Sequence, residues 1–407
     1  MRGRSVAAGK MAKREDLFDE DAAAMPVGID GEGQMSDLGS AVGLLPRQRI
    51  RALIRRRMVR AKSEIEAGQL QPASLDLRLG SRAFRLRASF LPGKGKTVQE
   101  QIDRHASVEV PLDEGAVLER GSVYIVELQE HLALPKVIVG AANPKSSAGR
   151  LDIFTRLITD DSEAFDTVAS GYDGPLYAEI SPRTFPVRVR RGSRLNQIRF
   201  RRRNPAQSDY TDFRVPDRDL LARHKEQAIV DGEALIRNGL VLRVDLAGGK
   251  NEIMGYRAQR FTDVIDVDRI GAYRVEDFWE PLRARSDRSL ILDPNQFYIL
   301  SSKERIHIPP DLAAEMVPID PTMGEFRVHY AGFFDPGFGW TEAGQPGARA
   351  VLEVRSHEVP FFLGDGQMIG RLVYEKIAER PDRLYGRGLA SNYQGQGLKL
   401  SKHFVAD

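Results

Sequence analysis

The sequence predicts an all-β-dominated fold built from two tandem β-barrel domains, with short helices at their flanks. Short segments of alternating apolar and polar residues recur between glycines and prolines, as in residues 122–128 and 185–200. This pattern is typical of antiparallel strands. Landmarks then reappear at a constant offset of 174 residues: Leu118 and Leu292, Tyr124 and Tyr298, Pro135 and Pro309, Glu179 and Glu353, Gly192 and Gly366, Phe200 and Tyr374. A constant offset indicates two copies of one β fold.

Length and composition support this organisation. With 407 residues and 42% hydrophobic content, the chain has enough apolar residues for two cores. The predicted divisions are a disordered N-terminal extension, a first domain, a helical connector, a second domain and a C-terminal tail, at residues 1–43, 44–203, 204–240, 241–380 and 381–407. The extension has no apolar run that suits a signal peptide or a membrane span, so we expect a cytoplasmic protein without membrane contact.

The first domain is expected to open with a short amphipathic helix, because Ile50, Leu53, Ile54 and Met58 follow helical spacing. Strands are expected to follow at 74–79, 83–86, 108–110 and 122–128, and again between 185 and 200. The connector carries a looser apolar stripe between charged residues. This stripe indicates a further helix between the two domains.

The charge of the chain is nearly balanced, with 60 basic and 57 acidic residues, which gives no case for nucleic-acid binding. The densest basic cluster lies on predicted strands: Arg188, Arg190, Arg191, Arg194, Arg199, Arg201, Arg202 and Arg203. Because residues alternate between the two faces of a strand, several of these arginines are expected to face solvent.

One segment concentrates small hydroxyls and cations. Lys145, Ser146, Ser147 and Arg150 lie in a turn marked by a proline before them and a glycine among them, so they could converge on a phosphate group. Glu179 follows on a strand, which makes it a carboxylate on a rigid element. Taken alone, the same residues also fit a solvated turn and an acid on a wet strand face.

These motifs resemble the core of the dCTP deaminases, trimeric relatives of the dUTPases. The resemblance rests on Lys145-Ser146-Ser147-x-x-Arg150, the Gly-Tyr-x-Gly turn at Tyr172, and Glu179. Residues 71–80 resemble the first strand of that family, and residues 385–397 resemble its nucleotide-covering tail. The resemblance implies two dUTPase-like β-barrel or β-clip domains and a homo-oligomer with trimer-like packing.

The resemblance also implies a reaction, the hydrolytic deamination of dCTP to dUTP. It assigns Glu179 as the proton shuttle, Ser146 to position the base and water, and Arg150 to orient Glu179 or stabilise developing charge. Further residues are implied to bind the nucleotide: Lys145, Ser147, Tyr172, Tyr385, Tyr393, Gln396 and Lys399. Mg²⁺ would be bound by the triphosphate of the substrate and not by side chains of the protein.

Zinc is not expected. The chain has no cysteine, so it cannot form the Cys-rich zinc site of the familiar nucleobase deaminases. His224-Lys225-Glu226 has their H-x-E spacing, but the P-C-x-x-C element is missing. No two of the seven histidines have H-x-x-x-H spacing.

The two copies differ at the residues of the candidate site. The second copy has Ile319-Asp320-Pro321 and Gly324 in place of the Lys-Ser-Ser and Arg groups, so its Glu353 lacks those partners. Yet its segment 334–339 resembles the turn before the family's catalytic strand better than 169–172 does. One copy could therefore supply the catalytic groups and the other the lid. A dUTP pyrophosphatase, a bifunctional deaminase and pyrophosphatase, and a non-catalytic nucleotide-binding regulator remain alternatives.

Overall fold

A computed structural model describes residues 40–204, 213–248, 252–318, 326–329, 332–356, 358–386 and 393–405, with only the backbone of 326–329. The predictions for residues 1–39, for 319–324 and for Asn392 lie outside these ranges. In the described residues strands predominate and the helices are short, which confirms the predicted all-β class. No helix among them is long and apolar enough to cross a membrane.

The first copy consists mainly of strands, with a few short helices. Its helices are α1 (Arg47–Arg55), α2 (Val98–His105) and α3 (Ser146–Gly149), with a 3-10 turn at Ala67–Gln69. Its strands are β1 (Gly43–Leu44), β2 (Val59–Ala61), β3 (Leu75–Leu77), β4 (Leu79–Leu86), β5 (Ala106–Pro111), β6 (Ala116–Leu118), β7 (Val123–Ala133), β8 (Ile138–Pro144), β9 (Ile153–Thr159), β10 (Thr167–Val168), β11 (Asp173–Pro182), β12 (Val187–Val189) and β13 (Asn196–Arg202).

The connector contains α4 (Asp217–Glu226), and the second copy has a 3-10 turn at Val275–Asp277. The remaining strands are β14 (Leu240–Arg243), β15 (Ile253–Ala258), β16 (Ile265–Asp266), β17 (Trp279–Arg283), β18 (Ser289–Leu292), β19 (Phe297–Ile306), β20 (Leu312–Pro318), β21 (Phe326–His329), β22 (Phe333–Phe334), β23 (Ala348–Ser356), β24 (Phe361–Gly364) and β25 (Met368–Lys376).

The strands of the two copies correspond in sequence and in pairing. Both β7 and β19, and both β8 and β20, begin 174 residues apart. The order β5-β4-β7-β11-β9 in one sheet matches β17-β15-β19-β23-β21 in another. Glu179 lies opposite Ile125, and Glu353 lies opposite Ile299, which is the same register. The two glutamates therefore occupy equivalent positions in two similar sheets.

One large hydrophobic core combines the apolar residues of the first copy with residues such as Trp279, Phe297 and Phe404, and another lies within the connector, the second copy and the tail. The predicted amphipathic helix is α1, which buries Ile50 and Leu53 against the first core. Its arginines bind residues that follow the last strand: Arg49 pairs with Glu379 at 2.6 Å and Arg51 with Asp382 at 3.0 Å. The start of the first copy is thereby tied to the end of the second.

Several arginines of the basic cluster were predicted to face solvent; Arg188 and Arg191 are exposed, whereas three others are buried. Arg199, Arg201 and Arg203 are 0%, 8% and 9% exposed. Arg199 donates to the carbonyls of Ala314 and Phe334 at 3.0 and 2.9 Å, and Arg201 pairs with Glu375 at 2.7 Å. Arg199 and Arg201 therefore face the second copy, and strand alternation cannot distinguish a face that meets water from a face that meets another domain.

The C-terminal tail ends in an aromatic cluster beside β12. Residues 259–278 of the second copy reach the first copy, where β16 pairs in parallel with β12. Phe404 packs on this segment, with its ring centroid 5.6 Å from Phe278 and 6.0 Å from Trp279. It is 6% exposed. The end of the tail is thus an integral part of the packed structure.

Phe404→Ala is expected to lower the free energy of unfolding by about 3–5 kcal/mol, because it removes a buried ring and leaves a cavity among aromatic side chains. Denaturant unfolding followed by circular dichroism measures the loss. Val405→Ala is the control, since Val405 is 49% exposed. A loss at Phe404 within about 0.5 kcal/mol, the range of surface substitutions, would contradict this packing.

Candidate active site

A cavity of about 490 Å³ lies between the two copies and the tail. This volume is within the range of small-molecule sites. The first copy contributes Lys145, Ser146, Ser147 and Arg150, the second contributes Glu353 and the aromatic side chains Phe333, Phe334 and Phe338, and the tail contributes Tyr385, Tyr393 and Gln396. The structure therefore brings most of the sequence-predicted residues to one place.

The hydroxyl segment forms a single helical turn, α3. Lys145 precedes this turn in an extended conformation, and its carbonyl accepts from the Ala148 amide at 2.8 Å. The Lys145 amide donates to the Leu195 carbonyl at 2.8 Å, which attaches α3 to the start of β13. The Lys145 side chain forms an ion pair with Asp76, a buried residue of β3. Ser146 and Ser147 are thus carried on a short element with external supports.

Arg150 contacts both the tail and the region of Glu353. Its guanidinium donates to the side-chain oxygen of Gln396 and to the carbonyl of Lys399, both at 3.0 Å. It also stacks on Tyr393, 3.9 Å from the ring centroid. Its Nε lies 3.9 Å from Glu353 Oε1 and has no hydrogen-bond partner in the described part of the chain. Arg150 therefore docks the tail while it keeps one N–H toward Glu353.

Glu353 projects from β23 into the cavity. Burial raises its pKa to about 8, and the nearby Arg150 charge opposes this rise. Two residues along the same strand face, Arg355 pairs with Asp152 of the first copy, which also accepts from Thr184 at 2.6 Å. This ion pair between the copies aligns β23, and with it Glu353, toward the first copy.

The prediction that groups Glu179 with Ser146 and Arg150 needs correction. Glu179 is 1% exposed but does not line the cavity. Its Oε1 accepts from Arg156 at 2.6 Å, and its Oε2 accepts from Ser89 at 2.5 Å. Arg156 lies directly opposite Glu179 on β9, so the first copy supplies the partner of its own glutamate.

Two further predicted residues lie elsewhere. Tyr172 does not line the cavity, and its hydroxyl donates to the Pro175 carbonyl at 2.6 Å within its own turn. The Lys399 side chain is also absent from the lining, although its carbonyl accepts from Arg150. Lys399 therefore contacts the site through its carbonyl and through its ammonium, which lies 5.7 Å from the centroid of the Tyr393 ring.

Sequence reasoning missed several groups in the cavity wall. Asp76, Arg194, Lys402 and His403 line it, and Asp268 comes from the segment that bridges the copies. Burial and the neighbouring charge of Lys145 lower the pKa of Lys402. Asp76 lies within the 71–80 motif and Arg194 within the basic cluster, but neither was predicted as a site residue, and Asp268, Lys402 and His403 belong to no predicted motif. Their common location depends on the docking of the tail and of residues 259–278, which no local pattern reveals.

The sequence of the turn at 334–339 was the feature that could have identified Glu353 as a site residue. This turn lines the cavity through Phe334, Asp335 and Phe338. Gly337 has φ +94°, and a Cβ there would lie 2.9 Å from Leu384 and 3.0 Å from the Tyr385 amide. Glycine therefore lets the start of the tail approach the turn closely. Its family-like sequence indicated the second copy, whose strand β23 carries Glu353.

The described residues contain no group of three His, Cys, Asp or Glu side chains arranged to hold a metal ion. The carboxylates of the cavity are also placed next to cations: Asp76 beside Lys145, and Glu353 beside Arg150. The charged groups of the wall are thus suited to an organic ligand with anionic and polar parts.

Comparison with known proteins identifies the family. Residues 41–204 match the N-terminal domain of 2'-deoxycytidine 5'-triphosphate deaminase, and residues 216–404 match its C-terminal domain. A solved structure of 2'-deoxycytidine 5'-triphosphate deaminase from Agrobacterium tumefaciens is 53% identical, with a TM-score of 0.79. The similarity covers 83% of this chain and 99% of that one.

Smaller relatives match about a third of the chain. The dCTP deaminase of Halorubrum lacusprofundi is 30% identical over 145 residues, 35% of this chain and 68% of the relative. The dUMP-forming dCTP deaminase of a Parafrankia species is 32% identical over 147 residues, 36% of this chain and 70% of the relative. Together with the dUTPase-like all-β fold, these similarities show that the chain belongs to the dCTP deaminase family.

Proposed function

We propose that Glu353, Ser146 and Arg150 form the catalytic centre with which this chain, a dCTP deaminase, converts dCTP and water to dUTP and ammonia. One observation carries the proposal: a buried carboxyl whose pKa is raised to about 8 lies 3.9 Å from a buried guanidinium in a nucleotide-sized cavity. Perturbed carboxyls in such cavities are typical of acid–base centres.

Glu353 replaces Glu179 as the proposed proton shuttle. Deamination needs a base that removes a proton from water as its oxygen attacks C4 of cytosine. The same proton is then delivered to N3, and a further transfer lets the amino group leave as ammonia. A carboxyl with a pKa near neutrality can both accept and donate these protons. Glu353 is suited to all of these transfers.

Ser146 and Arg150 complete the centre. We assign Ser146 to hold the attacking water in line with C4, because positioning of reactants is a large part of the rate advantage. The Arg150 Nε–H, which points toward Glu353 without a closer partner among the described residues, can stabilise the charge that develops during attack. Through Gln396 and Tyr393, Arg150 also holds the tail that excludes bulk water.

The basic wall of the cavity is proposed to bind the triphosphate. Lys145, Arg194 and Lys402 line this part, and Ser147 lies beside Lys145 on α3. Lys402 is half-buried near Lys145. When no anion is bound, the positive charges of the two lysines repel each other. A polyphosphate would relieve that repulsion and form charge-assisted hydrogen bonds. The aromatic residue Tyr385 packs on Phe338 at 5.6 Å and supports the opposite, apolar wall.

Mg²⁺ is proposed to enter as part of the substrate, bound to the triphosphate oxygens, and zinc is not proposed to take part. A homo-oligomer with trimer-like packing stays a prediction from the resemblance. Ser146 and Arg150 from the first copy and Glu353 from the second line the same cavity within this chain. The proposed centre therefore does not need a second chain to supply Ser146, Arg150 or Glu353.

The test is an incubation of the purified protein with Mg²⁺ and dCTP, with dUTP, dUMP and ammonia measured separately. We expect ammonia in an amount equal to the total uridine nucleotide, and an unchanged rate with a zinc-selective chelator. Accumulation of dUMP would show that the chain also forms dUMP, the product named for the Parafrankia relative. If a parallel incubation with dUTP gives dUMP while dCTP releases no ammonia, the chain is a pyrophosphatase and the proposal is overturned.

A further inference from the structure

The last residues of the tail form a hydrogen-bonded series that ends on α3. His403 Nε2 lies 2.8 Å from the carbonyl oxygen of Val267, and His403 Nδ1 lies 2.9 Å from Ser401 Oγ. Ser401 Oγ lies 2.8 Å from the carbonyl oxygen of Ser147, to which it can donate. Ser401 and His403 are 3% and 2% exposed. The series thus joins the bridging segment of the second copy to the helix that carries Ser146.

The proton positions in this series follow from the acceptors. A carbonyl oxygen can only accept, so the hydrogen of the His403 ring must lie on Nε2. Burial lowers the pKa of His403 to about 4, helped by the charge of Lys402, while the Val267 hydrogen bond, Asp268 and Asp266 act against the change. The ring is therefore neutral at pH 7. Its Nδ1 is then an acceptor like the Ser147 carbonyl, so Ser401 Oγ lies within 2.9 Å of two acceptors and donates its one hydrogen fully to only one of them at a time.

α3 depends on such external contacts because it is one turn long. A single helical turn is unstable by itself, since nucleation is unfavourable and few hydrogen bonds form. Leu195 supports its beginning through the Lys145 amide, and Ser401 supports the carbonyl directly after Ser146. One contact comes from the residue before β13, and the other comes from the tail.

We propose that Ser401, held by His403, is a positioning residue of the active site that keeps α3 and Ser146 in register with Glu353. This inference rests on the proposed role of Ser146. Both residues lie beyond the 385–397 stretch that carries the family resemblance. The tail therefore does more than cover the nucleotide: its last residues set the position of a catalytic element in the first copy.

Ser401→Ala is the first test. A shift of about 1 Å in a reacting group can cost on the order of a hundredfold, so we expect kcat to fall by about 10- to 100-fold. KM for dCTP should change little, because the phosphate-binding side chains remain. Ser401→Thr keeps the hydroxyl and should retain more of kcat than the alanine variant. Ser289→Ala is a matched control, since Ser289 is 2% exposed and its Oγ has no hydrogen-bond partner among the described residues.

A second pair of variants tests His403. His403→Asn places an amide near Ser401 and can replace the Nδ1 contact, whereas His403→Phe fills the ring position without any hydrogen bond. We expect a higher kcat for the asparagine variant at similar melting temperatures. A wild-type kcat in Ser401→Ala would overturn the inference. Equal losses in all four variants, with KM raised in parallel, would also overturn it, because they would show only that the tail must dock.

Ser146→Ala separates this inference from the proposed function. If Ser146→Ala keeps the wild-type kcat, the proposed role of Ser146 fails, and the positioning inference fails with it. If Ser146→Ala loses kcat while Ser401→Ala does not, only the positioning inference fails. Combining the two substitutions adds a further check: when Ser401 acts through Ser146, the double variant should lose little more than Ser146→Ala alone.

Discussion

Glu353→Gln is expected to lower kcat for dCTP deamination by at least about a hundredfold, the usual scale for loss of an acid–base group. Glutamine keeps the shape of the side chain and can still accept a hydrogen bond, but it cannot take the proton of water or deliver it to N3. Release of ammonia at saturating dCTP measures the effect. Binding of dCTP, measured by calorimetry, should persist.

Glu179→Gln is the matched control, because the two glutamates occupy equivalent strand positions and both are buried. Glu179 binds Arg156 and Ser89 away from the cavity. We expect this variant to keep most of its kcat and to lose thermal stability, since Arg156 is left without its carboxylate. The reverse result, with activity lost at Glu179 and kept at Glu353, would place the shuttle in the first copy.

Because the pKa of Glu353 is raised, the pH dependence of stability is a second readout for Glu353→Gln. The ordinary pKa of a glutamate is 4.5, and the folded protein raises it to about 8. The folded state therefore holds a proton that the unfolded chain releases, so this group stabilises the fold below pH 4.5 and progressively loses that contribution up to pH 8. Relative to the wild type, Glu353→Gln should gain stability over this pH range. Denaturant unfolding of the wild type and of Glu353→Gln at several pH values between 4.5 and 8 measures the gain.

Arg150→Met is the second large effect, with an expected loss of kcat/KM of about a hundred- to thousandfold, as for removal of a donor that stabilises the transition state. The substitution removes the charge beside Glu353 and the hydrogen bonds to Gln396 and to the Lys399 carbonyl. Because the Arg150 charge lowers the pKa of Glu353, its removal should raise that pKa further. The rising part of the kcat/KM profile should move to higher pH.

Arg150→Lys separates the two roles of this residue. Lysine keeps the positive charge but not the planar fork that binds the tail at two points. We expect its pH profile to stay close to that of the wild type while KM rises, because the tail closes less firmly over the nucleotide. If the profile of Arg150→Met does not move, Arg150 does not act on Glu353 through its charge, and only its contact with the tail would account for the lost activity.

Local patterns were sufficient for much of the fold. The alternation around Tyr124 and Phe200 predicted strands, and β7 and β13 lie there. The spacing of Ile50 and Leu53 predicted α1. These predictions succeed because the side-chain periods of strands and helices are properties of the local backbone. For the same reason they fail at Arg199, whose alternation indicates one side of a strand without indicating whether water or another domain lies there.

The candidate site divides in the same way. By itself, the sequence determined the all-β class, the repeat with its offset of 174 residues, and the grouping of Ser146 with Arg150, which lie in one helical turn and its end. Only the tertiary structure decided that Glu353 instead of Glu179 faces Arg150. Both glutamates share one strand register, so strand alternation does not tell them apart, and the turn at 334–339 indicated the second copy without showing which groups its glutamate meets. The difference arises because Arg156 already pairs with Glu179 within the first copy, while docking of the second copy and the tail brings Glu353 to the cavity. Such docking is set by the sum of contacts between residues far apart in the chain.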